Sequence, residues 1–538
     1  MINVFHAQGK DKKATLFAAI DRTSTVTGGE SLKQKVARPK VDIDELRKNQ
    51  EFPKKLLEDE KMFEFLDGVI KSVDDNKVIA GLRAKDAITQ QAYDNLYSAN
   101  GLPIPLTIKK KLNTNKMALQ YGPQFGSLLT TLESASLFFL FASLHQETQG
   151  FSNVSCFGKD NARIVQVVCA TLGLGHGLYS DVQAFKQDKI VLKGIEPNVV
   201  GIAHLTNALK KIHDYGKENP DFARSFASYP KLDAFFGKKL PIVDLLKDKT
   251  GAGTSAKGLS RGVVLAGNTL IKDSKQDLQD ALQVLGDLDA AVSIAKLVKE
   301  SKNNKVGYTF AEYVEADKPS LKLENFWHPQ VDKEKVVPNS LELGGNQNHH
   351  GMLVTGSNTG GKSTVLKAAI ANVWLAQTVG VAPASKAELT PFAYIDSSMN
   401  IVDDTAGGDS LYKAEVKRIQ SIDASTKALQ DKQFGFVVID EMFRGTSPDE
   451  AEIATYDCTK ELMAAPNVLP IVATHFKKQV VNLENESNGT CKNYRVDLIK
   501  NPDGTLSRPF KLEPGVSRVN AARELLNEAF GRPINGVK

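Results

Sequence analysis

The sequence predicts a multidomain protein: a mostly α-helical half, residues 1–325, followed by an α/β half, residues 326–538, whose first long strand feeds a phosphate-binding loop. Three observations carry this. Apolar residues return every three or four positions through much of the first half. From Gly351 onward short apolar runs alternate with helical patterns, the signature of buried strands in an α/β domain. Between the first such run and the next helix lies Val354-Thr-Gly-Ser-Asn-Thr-Gly-Gly-Lys-Ser-Thr-Val365, rich in glycine and ending in a cation and two hydroxyls.

In the helical half, Asp42 with Glu45 three positions on reads as an N-cap and its reciprocal partner. Pro53 reads as a first-turn proline, followed by Leu56, Leu57, Phe63, Leu66, Val69 and Ile70 on one face. A longer stripe, Leu278, Leu282, Leu285, Leu288, Val292, Ala295 and Val298, has Ser274 as its candidate cap. These stripes are core faces. Thr250–Gly262 and Gly173–Gly177 are glycine-rich loops without the Gly-Lys-Ser/Thr ending of a phosphate site, and His176 is a loop residue. In the second half the strands are Met352–Val354, Phe436–Asp440 and Pro470–Thr474. No internal repeat is present.

At 538 residues the chain exceeds one ordinary domain, and 41% hydrophobic with 24% charged residues suits a globular protein. Lys plus Arg (68) against Asp plus Glu (63) leaves +5, which permits a polyanionic partner without requiring one. Clusters such as Lys109–Lys111 and Lys238-Lys239 read equally well as solvated surface. The apolar run Ser134–Leu144 is far short of the ~20 residues a membrane span needs, so no membrane is expected. Cys156, Cys169, Cys458 and Cys491 form no Cys-x-x-Cys pair and read as reduced thiols of a cytoplasmic protein.

Gly356, Gly361, Lys362 and Ser363 fit Gly-x4-Gly-Lys-Ser/Thr. Glycines let successive backbone N–H groups curl around a phosphate, and the following helix N-terminus adds positive partial charge. Lys362 supplies a cation for the phosphate oxygens and Ser363 a hydroxyl for Mg²⁺. Phe436-Val-Val-Ile-Asp-Glu441 is a buried strand with acids only at its end. Asp440 can hold Mg²⁺, and Glu441 can polarise an attacking water. His475, after another apolar strand, can sense the terminal phosphate.

These runs resemble a known family. Gly356, Ser357, Asn358, Thr359, Gly360, Gly361, Lys362, Ser363 and Thr364 are similar to the phosphate loop of the MutS-type mismatch repair ATPases, Gly-Pro-Asn-Met-Gly-Gly-Lys-Ser-Thr. Asn358 falls on the family asparagine; Ser357 and Thr359 depart. Asp440-Glu-Met-Phe-Arg-Gly-Thr-Ser447 resembles the family's Asp-Glu-x-Gly-Arg-Gly-Thr-Ser, and Ala473-Thr-His-Phe476 its histidine switch. Asp403-Asp404, with Ser410 and Glu415 behind them, resembles the signature segment, whose serine reaches the γ-phosphate held by the opposite subunit. Asp21–Leu32 with Arg38-Pro39 resembles the start of the helical core, or lever, domain; Leu288-Asp289 and His328-Pro329 resemble its end. The likeness is weak across 100–260.

The resemblance implies a helical core and lever domain followed by an ABC-class P-loop ATPase domain. It implies ATP and Mg²⁺ as ligands, DNA as partner, and a homodimer closed through the ATPase domain, with Ser410 reaching across. Val336 stands where relatives place a phenylalanine on the adenine, so Phe510 is expected to stack there instead. The chain begins at the lever domain, leaving no room for the mismatch-reading and connector domains, and it stops soon after Phe530, which implies a reduced dimerisation element. Two other functions stay open: a related ATPase acting on junctions, recombination intermediates or stalled translation complexes, and an ATP-binding scaffold that does not hydrolyse.

Overall fold

The computed structural model describes residues 15–83, 192–247, 259, 261–301, 304–399, 411–502, 506–517 and 529–530. The loops expected at 250–262 and 173–177, the apolar run 134–144, Lys109–Lys111, Cys156, Cys169, Asp403, Asp404 and Ser410 lie wholly or mostly outside them. By packing, the chain forms two compact units: Met1–Thr23 with Gly28–Glu64 and Asp289–Lys538, and Ser24–Thr27 with Phe65–Leu288. Among the described residues no helix is long and apolar enough to cross a membrane.

The second unit is helical. Asp75–Arg83, residues 192–218 and Arg261–Asp273 pack through Val78, Val199, Ile202 and Val263, all buried. They approach closely because small residues stand at the crossings: a Cβ on Gly201 would lie 2.8 Å from the Lys77 side chain, and one on Gly81 2.9 Å from Asn198. Asp75, buried, caps the start of Val26–Val36 by accepting from Thr27 N (2.7 Å) and Val26 N (3.2 Å). Ser274 stands directly before Lys275–Ser301, at the expected cap position, its carbonyl taking Leu278 N at 2.9 Å. Lys238 is paired with Asp277 rather than standing as an isolated cation.

The first unit joins helical segments to a six-stranded sheet, a four-stranded sheet and, among the described residues, two short two-stranded pairs. Asp42 caps Ile43–Glu58 through Glu45 N at 2.8 Å, but the Glu45 carboxylate binds Lys40 instead of closing the reciprocal cap. Pro53 is not in a first turn. It lies well inside this helix, which starts at the Asp42 cap, and burial of Phe52, Pro53 and Leu56 offsets the missing hydrogen bond. The family-like segment at Asp21 is tied down: Arg22 N donates to Ser293 Oγ (2.9 Å) and Arg22 Nε pairs with the Glu300 carboxylate (2.9 Å). Asp289 is fully buried, and a Cβ on Gly28 would sit 2.1 Å from its carboxylate oxygen.

The larger sheet is numbered here by its strands: β1 (Gly351–Gly356), β2 (Tyr394–Ser398), β3 (Gly435–Asp440), β4 (Val468–Ala473), β5 (Cys491–Val496) and β6 (Glu513–Pro514). Their spatial order is β6-β5-β1-β4-β3-β2, parallel except for the edge strand β6. Both faces are covered, which explains why β1, β3 and β4 are apolar without alternation. Met352, Val354, Phe436, Val438, Leu469 and Ile471 face the helix α1 (Lys362–Val379). Leu353, Val437, Ile439 and Val472 face α2 (Leu411–Lys427), α3 (Pro448–Met463) and α4 (Lys477–Glu486).

Helix α1 is apolar almost all round because it is enclosed. A smaller four-stranded sheet (Glu312–Tyr313, Lys386–Leu389, Ser320–Phe326, Asn339–Gly344, in that spatial order) and Ile43–Glu58 pack on it from other sides. Several of its polar side chains bond to neighbouring segments, although the buried Asn372 Oδ1 has no hydrogen-bond partner among the described residues. Trp374 Nε1 donates to Val36 O (2.8 Å), and Gln377 donates to Lys40 O (2.8 Å) and Phe392 O (3.0 Å). These bonds fasten the C-terminal half of α1, the end away from the glycine loop.

Candidate functional site

The site sits at the carboxyl ends of β1, β4 and β3, three neighbours in the sheet. Register aligns them: Ala473 of β4 pairs with Val354 of β1 on one side and Asp440 of β3 on the other. Crevices at such strand ends are where open α/β sheets bind ligands.

The loop from β1 to α1 needs its glycines. Gly356 has φ +140°, and a Cβ there would come 2.2 Å from Val496 O of β5. Gly361 has φ +100° and is the N-cap of α1. A single 3₁₀ turn, Asn358–Gly360, lies between, closed by Gly360 N to Ser357 O at 3.0 Å. Ser357 and Thr359 hydroxyls lie 3.2 Å apart; Ser363 is half-buried and Thr364 exposed in the first turn of α1.

Lys362 is fully buried. Its Nζ donates to Gly356 O at 2.7 Å and lies 3.7 Å from Glu441 Oε1. Burial pulls its pKa below the ordinary lysine value, against the opposing pull of Glu441 and Asp440. His475, half exposed, donates from Nε2 to the same Glu441 oxygen at 2.7 Å. That hydrogen bond holds the Glu441 carboxyl below the usual range, with burial opposing and the charges of His475 and Lys362 adding to the shift. Asp440 is buried, and its Oδ1 has no hydrogen-bond partner.

The loop and the strand-end acids fit a phosphate and a divalent cation. The glycine cradle would not tolerate side chains, the orphaned Asp440 oxygen faces no protein donor, and a cation and two carboxylates converge within a few ångströms. Among the described residues no cluster of three His, Cys, Asp or Glu side chains could hold a metal. A cation bound here draws most of its ligands from phosphate and water, as Mg²⁺ commonly does.

Lys362, Glu441, His475 and Asp440 thus come together from three elements. Ser410 lies outside the described residues, and of Asn358 only the backbone is described. Val336 is buried. Phe510 packs at the loop itself: a Cβ on Gly361 would meet its ring at 2.8 Å. Phe510 has φ +54°, and Asn339 anchors it by donating to Phe510 O (3.0 Å) and accepting from Leu512 N (2.7 Å). Nothing in the sequence signals that Asn339 holds this segment, 171 residues away. Also missed is the turn after β3: Glu441 and Phe443 both have φ +58°, and at Phe443 the resembled run carries glycine. That mismatch was the available signal.

The fold and site are those of a helical unit joined to an α/β unit with a glycine loop at its parallel sheet. Residues 2–295 match MutS domain III and residues 352–522 match MutS domain V, so the chain belongs to the MutS family. It is similar to the DNA mismatch repair protein MutS of Staphylococcus haemolyticus (strain JCSC1435), 24% identical over 485 residues, which cover 87% of this chain and 51% of that protein. The chain spans about half the length of that relative.

Proposed function

We propose that this chain is a MutS-type DNA mismatch repair protein that hydrolyses ATP, with residues 1–325 as helical core and lever and 326–538 as an ABC-class P-loop ATPase domain. The observation that carries the reading is the convergence of Lys362, Asp440, Glu441 and His475 at three adjacent strand ends beside a glycine loop. The loop from Gly356 to Thr364 takes the phosphates of ATP. Lys362 leaves Gly356 O for the β- and γ-oxygens. Ser363 and Asp440 hold Mg²⁺, which offsets phosphate charge.

Glu441, kept ionised, accepts a proton from the attacking water. The water oxygen bonds the γ-phosphorus, the bond to the bridging oxygen breaks, and ADP and phosphate leave. His475 orients Glu441 in the free protein and contacts the γ-phosphate when it is present. Phe510 flanks the adenine. In a head-to-tail homodimer Ser410 completes the partner's ATP site, and hydrolysis moves the levers to change the grip on DNA.

The test measures ATP hydrolysis and nucleic-acid affinity of the purified chain with matched duplex, mismatched duplex, four-way junction and RNA. Hydrolysis stimulated by duplex DNA is expected. An equal response to all four, or preference for junction or RNA, replaces mismatch repair with one of the related activities. ATP binding without turnover leaves a scaffold.

A further inference from the structure

The turn that carries Glu441 is held from outside the site. Glu415, on α2, is 2% exposed. Its two carboxylate oxygens accept from two consecutive backbone amides: Arg444 N (3.2 Å) and Gly445 N (3.1 Å). The Arg444 side chain adds a looser ion pair at 3.9 Å. A buried carboxylate spent on two backbone N–H groups fixes that stretch of chain strongly, since charge-assisted bonds outweigh neutral ones.

Two further contacts fasten the same turn to the same helix. Gly445 lies on the first turn of α2 so closely that a Cβ would come 2.5 Å from Tyr412 N. The Tyr412 and Phe443 rings meet at 5.9 Å between centroids. Between these anchors and β3 the backbone runs through φ +58° at Glu441 and again at Phe443, a conformation that non-glycine residues rarely adopt. Unsupported, such a turn relaxes. Relaxation would swing the Glu441 carboxylate away from His475 and Lys362.

We propose that Glu415 is a positioning residue for Glu441: it latches the left-handed turn to α2 and thereby sets where the Glu441 carboxylate points. The proposal rests on the reading of Glu441 as the group that activates water. It also makes the start of α2 a control point, because displacing that helix releases the turn.

The experiment uses the full chain with Glu415→Gln, which keeps size but faces one of the two amides with an N–H. Catalysis should fall about 10- to 100-fold in kcat, one to two tenfold steps for a charge-assisted pair lost. KM and ATP affinity should stay within about threefold, since the partners of Glu415 among the described residues, Arg444 and Gly445, are not among the residues assigned to the nucleotide. Hydrogen exchange in the nucleotide-free protein should quicken at 443–446. The second variant, Gly445→Ala, leaves Glu415 intact and pries the turn off Tyr412; it should show the same split between kcat and KM. A kcat within about twofold of wild type in both variants overturns the proposal, as does parallel loss of kcat and ATP affinity. A wild-type chain that hydrolyses no ATP overturns the reading of Glu441 instead. Exchange then judges the latch alone: faster exchange at 443–446 upholds it, and unchanged exchange overturns it.

Discussion

Replacing Lys362 with Met separates what this lysine does for the fold from what it does for a ligand. In the free protein its Nζ is buried, 2.7 Å from Gly356 O and 3.7 Å from Glu441. At an effective dielectric of ~20, two unit charges at that separation attract by about 4.5 kcal/mol. Burying an ammonium costs several kcal/mol, which is the sense in which burial lowers the Lys362 pKa. The two terms oppose each other, and methionine fills similar volume. Removing one partner of a buried pair commonly costs about 3–5 kcal/mol, and Glu441 keeps His475, so the stability loss in a urea melt should fall at or below that range. Phosphate binding has no such offset. A charge-assisted hydrogen bond contributes about 1.5–3 kcal/mol, so nucleotide affinity should drop roughly 10- to 150-fold. Titration with a fluorescent ATP analogue reads this directly. A folded variant that binds within about threefold of wild type would refute the assignment of the loop.

The remaining predictions are narrower. Glu441→Gln should bind ATP but hydrolyse it about 10²- to 10⁴-fold more slowly, the range for loss of a general base; single-turnover kinetics check this, and wild-type turnover would remove Glu441 from the role. His328 is buried, its ring accepting from Gln330 N at 3.2 Å, and burial beside Lys367 pushes its pKa down from 6.5 to about 4. A folded-state pKa below the unfolded one means that the unfolded chain binds the extra proton between those values. Stability from this group is thus complete above pH ~6.5 and is lost toward pH ~4, at up to about 1.4 kcal/mol per unit. Denaturant melts at pH 7.5, 6 and 5 should show a shallower acid loss in His328→Gln; an identical slope would count against the buried neutral ring.

Some of this was legible in the chain itself. The strands at 352–354, 436–440 and 470–474 were visible because burial on both faces demands unbroken apolar runs, and the observed β1, β3 and β4 enclose or overlap them. The glycine loop was visible because its backbone needs φ values that only glycine takes cheaply, and the observed +140° and +100° bear that out. The carboxylates at the strand end were visible because Asp440 and Glu441 interrupt an otherwise apolar run. Local rules were weaker in the helices. Pro53 and the Glu45 side chain went elsewhere because tertiary burial and a neighbouring lysine outweighed the local preference.

What only the tertiary structure decided is which distant groups meet. Strand order places β4 between β1 and β3, and so puts His475 against Glu441, which in turn meets Lys362. The segment from Gly28 to Glu64 packs in the same unit as the sheets, through hydrogen bonds from Trp374 and Gln377 that no periodicity encodes. Asn339 finds Phe510, and Glu415 finds two amides nearly thirty residues on. Sequence pattern reports each residue's exposure and its backbone freedom, because those are properties of a few adjacent positions. Partners brought together by sheet order depend on the whole chain closing around one core, and that information resides in no single stretch of it.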